Sequence, residues 1–195
     1  AANSAQGTVW GWDAANAAWA APSSSSATVE HTKGYAIYAG NNQYGDFLRS
    51  GSGTIELTGS VSNADTTVSL SYNDGQSSSV TFVGGASTAA TEGWNFIGNP
   101  YVSMYDWGSQ TIPTDLNSAI YVWNGSSYTS YNNGIGTPRY LAPFQGFWVQ
   151  ASSSSVGSLT FSASNRVTDQ NAELYKANTI DGVYLKVLTD QIVSD

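Results

Sequence analysis

The chain has 195 residues, a net charge of −8 and no cysteine. Its 14 acidic and 6 basic residues form no run of like charge, which argues against a nucleic-acid partner, and the missing thiols exclude disulfides and thiolate metal sites. Charged residues make up only 10% of the chain and aromatic residues 13%, a mixture typical of β-sheets joined by polar turns and not of disorder.

Short alternating segments predict antiparallel strands in the first half of the chain. Residues 9–13 (VWGWD) alternate and lead through an Ala-rich turn to Trp19, which predicts a hairpin. An Asp-Gly pair after Asn73 predicts a tight turn between two further strands. The remaining strands predicted in this half lie at 34–39, 54–58, 68–72 and 80–83.

An aromatic stretch at 93–107 (GWNFIGNPYVSMYDW) separates this half from the next. Its first residues predict a strand, with Trp94 and Phe96 on one face and Asn95 and Ile97 on the other, and Pro100 ends it. Further strands are predicted at 120–124, around 128–131, at 146–151 and at 158–162.

The second half repeats the order of the first. Trp12 aligns with Trp123, and Gly34 aligns with Gly146 at nearly the same separation, which predicts a duplicated β-unit. We therefore expect an all-β fold, an antiparallel, jelly-roll-like β-sandwich of two related halves, 1–92 and 93–195. We expect the first half to lack a counterpart of the strand at 93 and the second half to be truncated at its C-terminus. Flanking sequence of a longer polypeptide, or a neighbouring subunit, is then expected to complete the open sheet edge.

Several motifs resemble a known module. The motifs GWNFIGNPY, IYVWNG and APFQGFWVQA are similar to a recurring module of large secreted surface proteins of Bacteroidetes. In that family the module usually precedes a sorting domain for type IX secretion, so the resemblance implies export and a cell-surface location. Val102 stands where the family often has proline, and Thr168 where it often has histidine. The family carries no agreed catalytic residue, so the resemblance implies none here.

The aromatic residues of the second half supply the candidate binding site. In the strand at 146–151, alternation directs Phe147 and Val149 inward and Trp148 to the opposite face. If that face is solvated, its aromatic residues can stack on sugar rings while neighbouring amides and hydroxyls bind sugar hydroxyls. The alternative is that these rings fill a second layer or a domain seam. The candidate glycan-binding residues are Trp148, Gln150, Trp123, Tyr121, Asn124 and Tyr128.

Other chemistry has weaker support in the sequence. His31 is the only histidine and is expected in a loop, and Asp106, beside an aromatic residue, is expected to be structural, not a catalytic acid. We expect no metal site or cofactor; calcium is the alternative, through Asn63, Asp65 and the turn at Asn73 and Asp74. Thr66 follows Asp65 in a short pattern that resembles O-glycosylation sites of exported proteins and is expected in an exposed turn.

The function expected from the sequence is a non-catalytic, secreted or cell-surface module for adhesion or glycan contact. A structural spacer or a filament-forming subunit that assembles by strand addition is one alternative, and a glycoside hydrolase is another. No segment approaches the roughly 20 apolar residues of a membrane-spanning helix, so no membrane span is expected.

Overall fold

The computed structural model describes residues 9–24, 26–37, 59–73 and 92–168, which form an all-β fold of antiparallel strands. The strands are β1 (Val9–Asp13), β2 (Ala18–Ala20), β3 (Tyr35–Ile37), β4 (Thr66–Ser69), β5 (Trp94–Gly98), β6 (Met104–Asp106), β7 (Ile120–Trp123), β8 (Tyr128–Asn132), β9 (Ile135–Gly136), β10 (Tyr140–Leu141), β11 (Gly146–Gln150), β12 (Ser158–Phe161) and β13 (Arg166–Val167). Single-turn 3₁₀ helices lie at Trp107–Ser109 and Ala163–Asn165. Within these ranges no helix has the length and apolar character needed to cross a membrane.

Several predicted elements lie outside the described residues. These are the strands at 54–58 and 80–83, the last residues of the strand at 34–39, and the Asp-Gly turn after Asn73. The predicted strand at 68–72 is β4, which begins at Thr66 and ends at Ser69.

A five-stranded antiparallel sheet with the order β5-β11-β7-β8-β9 forms the larger layer. Side chains on successive residues of a strand point to opposite faces, so Phe147 and Val149 of β11 share the inner face with Ile120 and Val122 of β7. All four are almost completely buried. The inward set predicted for β11 is therefore confirmed.

The second layer consists of the β4–β12 pair and the three-stranded sheet β10-β6-β13. Phe161 of β12 joins the layers, because its ring lies 6.3 Å from the ring of Phe147 and 5.4 Å from that of Tyr105, between centroids. Leu159 and Val68 extend the same buried cluster. The predicted all-β antiparallel fold is confirmed, and the two layers pack in a sandwich-like arrangement.

Two buried asparagines join the layers where strand pairing ends. The Asn95 amide pairs with the backbone of Ser71, donating to its carbonyl oxygen at 2.8 Å and accepting from its N–H at 2.9 Å. Asn99 donates to the carbonyl oxygen of Ala142 at 2.9 Å and accepts from the N–H of Tyr101 at 3.1 Å. Each amide thereby satisfies backbone groups that have no strand partner, which accounts for two polar residues on a buried face.

The remaining sheet has the order β2-β1-β3. It matches the order β8-β7-β11 in the second half, and the registers also agree: Trp10 is opposite Ala36, and Tyr121 is opposite Trp148. The sequence alignment places Trp10 on Tyr121 and Ala36 on Trp148. Strand order and register thus coincide in the two segments, while their origin by duplication and the division into 1–92 and 93–195 stay predictions.

Strand β5 connects the two segments. One edge pairs with β11 along its whole length. The other edge bonds to residues just before β3, since the N–H of Gly34 donates to Phe96 O and the N–H of Gly98 donates to Thr32 O, both at 2.9 Å. The β2-β1-β3 sheet therefore lies beside the five-stranded sheet and not apart from it.

Candidate functional site

The outer face of the five-stranded sheet carries aromatic side chains on four neighbouring strands. Residues directly opposite one another on paired strands share a face, so Trp148 lies beside Tyr121 and Phe96, and Trp123 lies beside Tyr128. We call this surface the aromatic face; its members are Trp94, Phe96, Tyr121, Trp123, Tyr128 and Trp148.

Trp148 lies at the covered end of the aromatic face. Its ring stacks on Phe96 with 4.7 Å between centroids and meets the rings of Trp12 and Trp19 edge-on at 5.1 and 5.8 Å. Trp12 is itself anchored, because its indole N–H donates to the carbonyl oxygen of Trp94 at 2.8 Å. Trp148 therefore offers less free ring surface than the sequence indicates, and its part in glycan contact stays a prediction.

The opposite end of the aromatic face is open. Trp123 is 51% exposed and Tyr128 is 55% exposed, and their rings meet edge-on with 5.1 Å between centroids. Tyr121 is half-buried and lies between them and the covered end, with its ring 5.2 Å from that of Trp94. The largest solvent-exposed aromatic surface of this sheet is thus the Trp123–Tyr128 pair.

The two amides expected to bind sugar hydroxyls have structural partners. Gln150 donates to the backbone oxygen of Glu92 at 3.0 Å and accepts from Asn117 at 3.0 Å. The Asn124 side-chain oxygen accepts the N–H groups of Ser126 and Ser127 at 2.9 and 2.8 Å, which closes the turn between β7 and β8. Asn124 therefore positions the Trp123–Tyr128 pair by holding the turn that joins its two strands.

Thr66 does not lie in an exposed turn as expected. It begins β4, where its side chain is 8% exposed and faces the core. Its hydroxyl donates to the carbonyl oxygen of Ala64 at 3.1 Å and lies 2.8 Å from the Ser62 hydroxyl. The turn prediction is wrong because β4 begins earlier than the alternation indicates; glycosylation at Thr66 stays a prediction, and it requires this hydroxyl to leave its present partners.

Asp106 is buried and fully engaged by hydrogen bonds. The Arg139 guanidinium donates from Nε to Oδ1 and from Nη2 to Oδ2, both at 2.8 Å, and the Ser109 hydroxyl and Gly108 N–H each donate at 2.9 Å. The Arg139 hydrogen bonds lower the pKa of Asp106 below its ordinary value of 3.8. A general acid needs a raised pKa, so this environment suits the structural role expected from the sequence.

The residues that could ligate a metal lie apart from one another in the described part of the chain. In the part of the chain that the structure describes, no three His, Cys, Asp or Glu side chains gather as a metal site would require. His31 is exposed in the loop before β3. Asp65 accepts the N–H of Ala163 at 2.7 Å, so it joins the loop before β4 to the 3₁₀ helix that follows β12.

Sequence reasoning missed two sets of residues around these sites. The sequence predicted a hairpin that includes Trp12 and Trp19, but no local pattern indicated that these two rings would cover Trp148. Arg139 follows a proline in a loop and carried no signal of its pairing with Asp106, 33 residues away. Both contacts join segments that are distant in sequence, where periodicity carries no information.

We compared this chain with known protein families, curated proteins and solved structures. No protein-family model, no curated protein and no solved structure matches this chain.

Proposed function

We propose that this chain is a non-catalytic, exported cell-surface module that contacts glycans through the Trp123–Tyr128 pair. One observation carries this proposal: two large aromatic side chains, each more than half exposed, lie side by side on one sheet face. Exposing such rings to water is unfavourable, and a persistent exposed apolar patch marks a contact surface. Export and surface location rest on the motifs that resemble secreted Bacteroidetes modules.

The chemistry of the surroundings favours a sugar over other partners. An aromatic ring can bury the apolar face of a sugar, while hydroxyls and amides bind the sugar hydroxyls without the cost of desolvating an ion. Exposed Ser126, Ser127 and Ser130 surround the pair, and none of the residues from Trp123 to Asn132 is charged. Tyr128 adds a phenolic hydroxyl at the end of the same patch.

Affinity electrophoresis on gels that contain a panel of soluble polysaccharides tests the proposal. We expect at least one polysaccharide to retard the wild-type protein and expect Trp123→Ala or Tyr128→Ala to weaken this retention about tenfold, the equivalent of ~1.4 kcal/mol. Phe144→Ala is the matched control, because Phe144 is also exposed but lies in the loop before β11. Equal retention of the wild type and both variants would contradict the proposal.

A role in assembly is the second candidate function. Strand β9 is an edge of the five-stranded sheet, and its Ile135 is 79% exposed. Exposed edge strands with apolar side chains are templates for pairing with flanking domains or neighbouring subunits. Sedimentation velocity distinguishes the two functions. Strand addition predicts that the wild-type protein forms oligomers and that Ile135→Lys is monomeric, whereas glycan contact requires no oligomer.

A further inference from the structure

A polar cleft lies on the side of the molecule away from the aromatic face. It has a volume of about 300 Å³ and opens between the Trp107–Ser109 turn and the end of β8. Trp107, Ser118, Tyr131, Asn133 and Arg139 contribute to its walls. Tyr131 points to the opposite face of β8 from Tyr128, as odd spacing along a strand requires, so the cleft and the Trp123–Tyr128 pair are separate surfaces.

Arg139 is held in one orientation in this cleft. Asp106 takes two of its N–H groups in a bidentate pair, and the guanidinium carbon lies 5.2 Å from the centre of the Tyr140 ring. The side chain is nevertheless 48% exposed. Among the residues that the structure describes, Asp106 is the only acceptor for the guanidinium, so Nη1 and the second Nη2 hydrogen remain available to a ligand. An arginine fixed in this way loses little conformational entropy on binding.

Gly108 allows a second donor to approach the guanidinium. A methyl group at Gly108 would lie 2.6 Å from Arg139 Nε and 2.8 Å from the Tyr131 hydroxyl oxygen, closer than side-chain carbons come to such atoms. Only a residue without a side chain lets both groups converge there. The Tyr131 ring is buried, and no described residue accepts from its hydroxyl.

We propose that this cleft binds the carboxylate of a small hydroxylated acid, of which a uronic acid is the class that fits. The open edge of the guanidinium offers two parallel donors, the geometry that matches a carboxylate, and the Tyr131 hydroxyl adds a third. The Ser118 hydroxyl donates to Asn132 Oδ1 at 2.6 Å, so it can accept a hydrogen bond from a ring hydroxyl of such a ligand, and the Asn133 amide suits the same groups. The site goes beyond the proposed glycan contact, because it uses other residues on another face.

The charge balance of the cleft sets its selectivity. Asp106 neutralises Arg139, and the chain as a whole carries −8, so no general attraction for anions is expected. Recognition then depends on the shape of the acceptor. We expect a planar carboxylate on a hydroxylated ring to bind, and inorganic phosphate and acetate to bind much more weakly.

Titration followed by ¹H–¹⁵N NMR tests this site with galacturonate, glucuronate, galactose, acetate and phosphate as probes. We expect a uronate to shift the amide of Gly108 and the indole N–H of Trp107, and galactose to leave both unchanged. Tyr131→Phe removes only the hydroxyl and should weaken uronate binding about three- to tenfold, as loss of one hydrogen bond does. Arg139→Gln should abolish the shifts.

Two controls keep this result separate from that of the aromatic face. Trp123→Ala should leave uronate binding in the cleft unchanged, and Tyr131→Phe should leave retention on polysaccharide gels unchanged. If Arg139→Gln unfolds the protein, the uronate affinity of Tyr131→Phe tests the proposal by itself. Equal shifts with galactose and galacturonate, or unchanged affinity in Tyr131→Phe, would overturn the proposal.

Discussion

The tryptophans on the aromatic face have different roles because they differ in what covers them. Trp148 contacts four other rings, two of them from the β1–β2 hairpin, whereas Trp123 is half exposed and its ring meets that of Tyr128. Trp148 therefore belongs to the packing of the molecule. Trp123 is available to a partner without any rearrangement.

Substitution by alanine should separate these roles. We expect Trp148→Ala to lower the free energy of unfolding by about 3 kcal/mol, because it empties a site filled by a large ring. Trp123→Ala should change it by less than about 1 kcal/mol, since an exposed side chain gains little from folding. Urea unfolding followed by circular dichroism measures both, and a larger loss for Trp123→Ala than for Trp148→Ala would contradict this assignment.

Asp106 makes stability depend on pH in the acid range. Its pKa is lower in the folded protein than the ordinary value of 3.8, chiefly through the Arg139 hydrogen bonds, so the unfolded chain takes up the proton first as pH falls. The stabilisation by the charged carboxylate is therefore complete above pH ~4 and is lost as pH falls through the lower folded pKa.

The isosteric variant Asp106→Asn tests the direction of this pH dependence. At pH 7 the variant should be less stable than the wild type, and the difference should shrink as the pH is lowered from about 5 towards 2. Urea midpoints of both proteins at several pH values give the comparison. A difference that stays constant or grows at low pH would show that the carboxylate is not stabilised by its charge.

At the scale of elements, the Phe96 ring of strand β5 packs against both of the segments that β5 joins. Phe96 lies across the glycines that the sequence alignment made equivalent: a methyl group at Gly34 would lie 2.6 Å from its ring, and one at Gly146 would lie 2.8 Å from it. The two glycines lie on the strands or loops that flank β5 on either edge. Their lack of a side chain is what lets Phe96 pack against both neighbours of its strand.

Added methyl groups should therefore destabilise the protein through Phe96. We expect Gly34→Ala and Gly146→Ala each to cost about 1–3 kcal/mol of unfolding free energy, as overpacking does. Both costs should fall in a Phe96→Leu background, and a double-mutant cycle measures that coupling. Gly157→Ala is the matched control, because nothing lies near its added methyl group. Additive costs in the cycle would exclude Phe96 as the cause.

For the molecule as a whole, contacts between the segments are extensive enough to predict a single unfolding transition. Strand β5 bonds to both segments, and the Trp12 indole N–H donates to the carbonyl oxygen of Trp94 at 2.8 Å. Trp12 and Trp19 pack on Trp148 across the same boundary. A small protein whose segments pack against one another in this way unfolds in one cooperative transition.

Residue-resolved NMR during urea unfolding measures this cooperativity. The amides of Gly11 in β1 and Val149 in β11 should lose their native signals at the same urea concentration, and Trp148→Ala should lower both midpoints equally. Trp123→Ala serves as the control and should move neither midpoint appreciably. Distinct midpoints for the two amides would mean that the segments fold independently.

The sequence by itself predicted most of the longer strands and separated the two faces of each, but it gave no signal for the short strands β6, β9, β10 and β13. Alternation with a period of two is a local property, so it placed Phe147 and Val149 on the inner face of their strand and Trp148 on the opposite one, and it put Asn95 and Ile97 on a common face. The composition excluded thiolate chemistry and argued against a nucleic-acid partner, because both conclusions depend only on which residues are present.

Only the tertiary structure decided which of these faces meets solvent. Alternation separates two faces of a strand but does not say what packs on the second one, and the covering of Trp148 by Trp12 and Trp19 is a contact between distant segments. The partner of Asp106 was hidden for the same reason, because Arg139 is 33 residues away and reaches it only through the pairing of β6 with β10. Long-range contacts come from the packing of whole sheets, and the pattern of residues in a short stretch of the chain does not determine that packing.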